Sequence, residues 1–218
     1  MLYLGKSFAR ICLSRKYLKP MSVQTGQIKD TLAAYNWTNT NGRMQKEQQQ
    51  LEPMFYYFAY GSCMCPVDLK RSLGEKTHIY VVGAATLIGY RLGFYCYSAF
   101  RNCGVLDIIK DPTSSVEGVL YKLPQRLGYA LDDREGVHQN WYRHEQVDIA
   151  CNGKVYENAR TYMVIDKLTE ELAPNDWYFN VVLRGAVTCG LPEQYCWNLF
   201  NHMHNLQQRH GEQSLKSA

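Results

Sequence analysis

Two short stretches carry the residue types from which chemistry can be built. Tyr57-Phe58-Ala59-Tyr60-Gly61-Ser62 reads as an apolar, aromatic strand that stops abruptly at Gly-Ser. A strand ending in this way exposes backbone N–H groups beside the next element, a natural seat for an anion. Asp133-Arg134-Glu135-Gly136-Val137 sets one carboxylate at a helix end, among a glycine and apolar neighbours. In such a setting Glu135 can be raised toward neutral pH and shuttle a proton. An anion seat and one proton shuttle suffice for acyl transfer on a small molecule. That chemistry uses no metal, no cofactor and no covalent nucleophile.

The other polar residues have plainer readings. Arg101 and Asn102 sit in a loop and can reach a substrate, but solvated loop chemistry is the simpler expectation. Asp132 and Asp133 read as helix-face charges, and His138 and His144, which flank Tyr142, as surface residues. His202-x-His204 has no third ligand nearby, and Cys63-x-Cys65 has no second pair at zinc spacing, so no metal site is expected. Cys63 as a nucleophile would need an adjacent base, and the neighbouring sequence offers none.

The elements that must position these residues follow from pattern. Phe55–Tyr60 reads as a buried strand. Pro66–Leu73 reads as a short helix with Pro near its start and Gly74 just after it. Ile79–Ile88 and Tyr90–Tyr97 are strand-like, with glycines that suggest bends or bulges. Val105–Ile109 and Val116–Leu123 suggest a pair around Asp111-Pro112-Thr113-Ser114-Ser115. Pro124 to about Arg134 has helical spacing at Leu127 and Leu131. Tyr142–Cys151 and Lys154–Ile165 flank Asn152-Gly153, the strongest hairpin signal in the chain. Asp176–Cys189 and Glu193–Leu206 read as helices separated by Gly190-Leu191-Pro192. Strands dominate first and helices last, so the expected class is α+β, with a sheet that curls or closes to protect its edges.

Length and composition bound the rest. The 218 residues suit one ordinary domain, or one domain with an appendage, and 46% hydrophobic against 20% charged residues can fill a core. The 17 Tyr favour a β-rich or mixed fold. A net charge of +4, with no basic stripe, argues against nucleic acid as a partner. No apolar run approaches the ~20 residues of a membrane span. Eight dispersed Cys suggest reduced thiols in the cytoplasm. Residues 1–50 differ: no acidic residue precedes Asp30, while Lys6, Arg10, Arg15, Lys16 and Lys19 are basic. Either an extension, linker or remnant of an upstream domain, or a mitochondrial transit peptide, fits that composition. A globular domain is expected over 51–210 and a flexible tail over 211–218.

Taken in order, the residues resemble the γ-glutamyl cyclotransferase-like superfamily. The similarity rests on Phe58-Ala59-Tyr60-Gly61-Ser62, Gly118-Val119-Leu120-Tyr121 and Leu131-Asp132-Asp133-Arg134-Glu135-Gly136-Val137, with Tyr142 seven residues beyond Glu135. Ala173-Pro174, Gly185-Ala186 and Gly190-Leu191-Pro192-Glu193-Gln194-Tyr195 extend it, so it runs roughly from Phe55 to Leu206. It implies a small mixed, partly closed β-barrel with flanking helices. It also implies a cyclising lyase that converts a γ-glutamyl amine, amino acid or peptide to 5-oxoproline and releases the amine. Glu135 would be the general acid/base. Tyr60, Gly61, Ser62, Cys63 and Tyr142 would bind the small-molecule substrate in a monomer or homodimer. Many members carry Asn where this chain has Cys63; a seat made by backbone tolerates that change, and substrate choice is what it would alter. Residues 1–50 look like the join in tandem members. The alternatives are a binding module that lost turnover, or a truncated tandem copy.

Overall fold

A computed structural model describes residues 52–216. The expectations for residues 1–50 lie outside the described residues.

Five strands form a closed barrel in the order β1-β3-β2-β4-β5. The first, β1 (Met54–Ala59), lies antiparallel to β3 (Cys103–Pro124), with Tyr57 opposite Tyr121. Its other edge meets β5 (Lys154–Val164) in parallel at Tyr57 and Arg160, which shuts the barrel. The sheet thus curls round on itself and closes, which protects its edges. β4 (Tyr142–Cys151) and β5 form the expected hairpin, with Asn152 and Gly153 both at positive φ, as a type I′ turn requires.

Two expected breaks are absent. The stretches expected at Ile79–Ile88 and Tyr90–Tyr97 merge into one strand, β2 (Val81–Ser98), with Ile79 and Tyr80 in a 3₁₀ turn before it and a register shift between Ile88 and Tyr90. Val105–Ile109 and Val116–Leu123 do not pair with each other; both lie on β3 and pair with β2. The turn-like residues 111–114 bulge opposite Gly89, between the pairs Ile88–Ser115 and Tyr90–Lys110. Asp111 caps this bulge, accepting from the Thr113 N–H at 3.0 Å and the Ser114 hydroxyl at 2.9 Å. Pro112 is tolerated there because a bulge makes no demand on its missing N–H.

Four helices flank the barrel. α1 (Pro66–Leu73) follows a 3₁₀ turn at Ser62–Met64. α2 (Gly128–Arg134) ends directly at Glu135. α3 (Asp176–Thr188) is capped by the Asn175 side chain, which accepts from the Tyr178 N–H at 2.9 Å. It buries Val181, Val182 and Ala186 against the core. α4 (Glu193–Lys216) buries Leu199, Met203 and Leu206 on one stripe. This helix runs to Lys216, so most of the tail expected over 211–218 has helical backbone. All seven described cysteines are free thiols. Among the described residues no helix is long and apolar enough to cross a membrane.

Candidate active site

One end of the barrel opens into a cavity of about 670 Å³. Its walls are the loop after β1, the tip between β2 and β3, the end of α2, the start of β4 and the face of α3. Tyr60, Gly61, Ser62, Cys63, Glu135 and Tyr142 all line it, so every expected site residue is gathered in one place.

The loop after β1 is held from beneath. The buried Tyr121 hydroxyl reaches the Cys63 and Met64 carbonyls at 3.0 and 3.1 Å. α3 presses on the same loop: a Cβ on Gly185 would fall 2.7 Å from the Cys65 backbone nitrogen. Only glycine allows that approach. Gly61 and the first residues of the 3₁₀ turn thus form a fixed wall of the cavity. The leading N–H groups of such a turn have no partner within it.

Glu135 sits just past the last turn of α2, its side chain only 17% exposed. Gly136 then reverses the chain at φ 65°, and a Cβ there would lie 2.6 Å from the Trp141 ring. The Glu135 carboxylate accepts from the Cys63 thiol at 3.1 Å and lies 3.6 Å from Arg134 Nε. The same sulfur accepts from Arg134 Nε at 2.9 Å. Burial pushes the Cys63 thiol up to about 12, against the pull of the Arg134 charge. The side chain is therefore a neutral S–H that bridges a guanidinium and a carboxylate.

Arg134 is a member of the site that its neighbours in sequence did not single out. Its Nη2 donates to Asp68 at 2.7 Å and to the Ser62 hydroxyl at 3.1 Å. Burial works against its charge, but Cys63, Glu135 and Asp68 outweigh this and push its pKa up. Arg101 is also corrected. It is not solvated loop chemistry: its Nη2 donates to Ser62 Oγ at 3.3 Å, and its guanidinium lies over the Trp177 and Tyr178 rings. Two guanidinium groups thus converge on one serine hydroxyl, and both are largely buried. The signal for Arg134 was its place inside the Asp-Asp-Arg-Glu-Gly block. Asp68, on α1, gave none.

The tyrosines line the cavity mainly with their rings. Tyr60 donates to the Tyr162 carbonyl at 2.6 Å, and Tyr142 makes a long contact of 3.5 Å to the Leu106 carbonyl rather than to Glu135. Burial raises both hydroxyls well above the ordinary tyrosine value. Asp132 is more than a helix-face charge: it accepts from Tyr162, lies 2.7 Å from His144 Nε2 and 3.4 Å from Arg160. It ties α2 to β4 and β5. No group of three or more His, Cys, Asp or Glu among the described residues is placed to hold a metal ion.

Residues 115–199 match the AIG2-like family. The chain is 33% identical over 164 residues to "Putative gamma-glutamylcyclotransferase YkqA" of Bacillus subtilis (strain 168), covering 74% of this chain and 57% of that protein. The crystal structure of YkqA superposes with a TM-score of 0.65 at 31% identity, over 75% of this chain and 59% of that one. In sequence and in fold the chain is similar to the γ-glutamyl cyclotransferase-like superfamily. It is also 27% identical over 150 residues to the gamma-glutamylcyclotransferase of Mus musculus, across 65% of this chain and 74% of that protein. It spans less than two thirds of the length of the Bacillus protein. In this cyclotransferase-like chain the three motifs of the resemblance meet in space. Tyr121 holds the loop that carries Gly61 and Ser62, and Cys63 in that loop bonds Glu135 and Arg134.

Proposed function

We propose that this chain converts a γ-glutamyl compound to 5-oxoproline and the free amine. The observation that carries the reading is Glu135, a cavity carboxylate held by Cys63 beside Arg134 and within the same cavity as Ser62 and Arg101. The γ-glutamyl group has an α-carboxylate, an α-ammonium and a γ-carbonyl. Arg101, Arg134, the Ser62 hydroxyl and the N–H groups at Gly61–Cys63 supply donors suited to the carboxylate and to the tetrahedral oxyanion.

The chemistry then needs only proton movement. Glu135 takes a proton from the α-ammonium, and the freed amine attacks the γ-carbonyl carbon to close a five-membered ring. The substrate itself supplies the proximity. The tetrahedral intermediate collapses as the bond to the leaving nitrogen breaks; Glu135 returns its proton to that nitrogen, and the second proton, lost from the ring nitrogen, follows by the same carboxylate, so that the amine departs as an ammonium and the ring keeps one N–H. Substrate atoms equal product atoms, so neither water nor a co-reactant is consumed. Glutathione, γ-glutamyl dipeptides and γ-glutamyl polyamines all contain the required group.

The test is Glu135→Gln, assayed for 5-oxoproline release across γ-glutamyl compounds, with a thermal melt as control. Gln keeps the shape and loses the transferable proton. Turnover should fall about 10²–10⁴-fold with the melt little changed. A variant within about tenfold of the parent would exclude Glu135 as the shuttle. A parent chain that binds these compounds and releases no 5-oxoproline would be a binding module instead.

A further inference from the structure

The cavity has two chemically distinct ends. Its floor is polar, made by Ser62, Arg101, Arg134 and Glu135. Its mouth is aromatic. Phe100, at the tip between β2 and β3, lines the cavity yet is 92% exposed; Trp141 is 60% and Tyr97 50% exposed. Isolated apolar side chains on a surface are ordinary, but several around the opening of one pocket mark a place where something apolar binds.

Two of these rings, Tyr97 and Trp141, are also held in place. The Tyr97 hydroxyl donates to Asn102 Oδ1 at 2.6 Å, and Asn102 turns the tip at φ 50°. The Trp141 ring lies against Gly136, and the Trp141 backbone N–H donates to the Gly136 carbonyl at 3.0 Å. A subsite fixed in this way loses little side-chain freedom when it is occupied.

The reaction proposed above gives the mouth an occupant, and the inference rests on that reading. The γ-glutamyl half is polar and constant, and it matches the floor. The leaving nitrogen must face Glu135 to receive its proton. Glu135 is followed at once by Gly136, over which Trp141 lies. The group carried by that nitrogen therefore emerges beside Trp141, at the aromatic mouth. We propose that Tyr97, Phe100 and Trp141 form a subsite for the released amine. The favoured substrates of this chain are then γ-glutamyl compounds whose amine half carries an aromatic or large apolar group.

The experiment compares γ-glutamylphenylalanine with γ-glutamylalanine on the full chain, measured as kcat/KM for 5-oxoproline release. The aromatic compound should be favoured by about tenfold or more, the discrimination one buried ring supplies. Phe100→Ala, at an exposed tip where folding is not at stake, should lower kcat/KM for the phenylalanine compound at least about fivefold more than for the alanine compound. A parental ratio near one, or equal losses on both compounds, would overturn the subsite. Calorimetric binding of the same two compounds to the Glu135→Gln protein keeps the question separate from turnover. Tighter binding of the aromatic compound, weakened in a Glu135→Gln/Phe100→Ala double variant, supports the subsite even if no 5-oxoproline is ever released. Equal binding of the two compounds refutes it.

Discussion

Arg134 and Glu135 share one sulfur atom, and that sharing sets what the Cys63 side chain does. The thiol accepts from the guanidinium and donates to the carboxylate, so it fixes the orientation of the proposed shuttle. Cys63→Ala removes both bonds, and kcat should fall about tenfold, the worth of one hydrogen bond to a charged group. KM should change little, because the backbone N–H groups of the seat remain. Cys63→Ser restores a donor and acceptor and should recover most of the loss; an alanine variant with unchanged kcat would show the bridge to be idle. The thiol also has a pH signature. Its folded pKa, about 12, lies above the ordinary value near 9. Its contribution to stability is therefore complete below about pH 8.5 and is lost as pH climbs toward 12. Glu135, Gly61, Ser62 and Cys63 stand out in the sequence as candidates because each lies in a contiguous block whose local pattern implies chemistry. The thiol bridge was not, since it joins residues 72 apart. Arg101 was misjudged for the same reason: a loop position says nothing of Ser62, Trp177 and Tyr178 closing around it.

At the scale of elements, the wall around the site depends on a buried acidic residue near the start of β3. Asp107 is fully buried, accepts from the Val164 N–H at 3.0 Å and pairs with Lys167. Lys167 also donates to the Val164 carbonyl at 3.1 Å, so β3, the end of β5 and the segment after it are joined at one point. Burial pushes the Asp107 carboxyl up, opposed by Lys167 and by the Val164 N–H. Asp107→Ala would strand a buried N–H and leave the Lys167 charge without its partner. Loss of about 2–3 kcal/mol is expected from urea unfolding, and Asp107→Asn, which can still accept from Val164, should lose about half of that. A shift under about 0.5 kcal/mol for alanine would show that the tie carries no load. The strand segments around Asp107 were recognisable from β-branched and aromatic content. Their joining into one long strand was not. Asp111-Pro112-Thr113-Ser114-Ser115 has the composition of a turn, and only the length of β2 opposite it makes it a bulge.

For the whole molecule, residues 52–216 fold with one core, in which Phe58, Leu120, Leu131, Ile149, Val182 and Met203 are all fully buried. That core joins β1, β3, α2, β4, α3 and α4, so every wall of the cavity is anchored within this unit. The α+β class and the curling of the sheet followed from the order of strands and helices. The strands that close it were not legible, because the junction depends on β1 meeting β5 in parallel across a hundred residues. The sequence places a polar, turn-rich stretch with Arg43 and Lys46 just ahead of β1. Brief trypsin treatment of the full chain should therefore cut there first and leave a resistant fragment starting near residue 47. If the fold from 52 onward contains the complete site, that fragment should release 5-oxoproline at about the parental rate and melt as one cooperative transition. Early cuts inside the barrel, at Arg91 or Lys110 for example, would show that the unit is not independently stable. A resistant fragment that binds γ-glutamyl compounds but turns them over at least about tenfold more slowly would show that residues before 47 contribute to the chemistry.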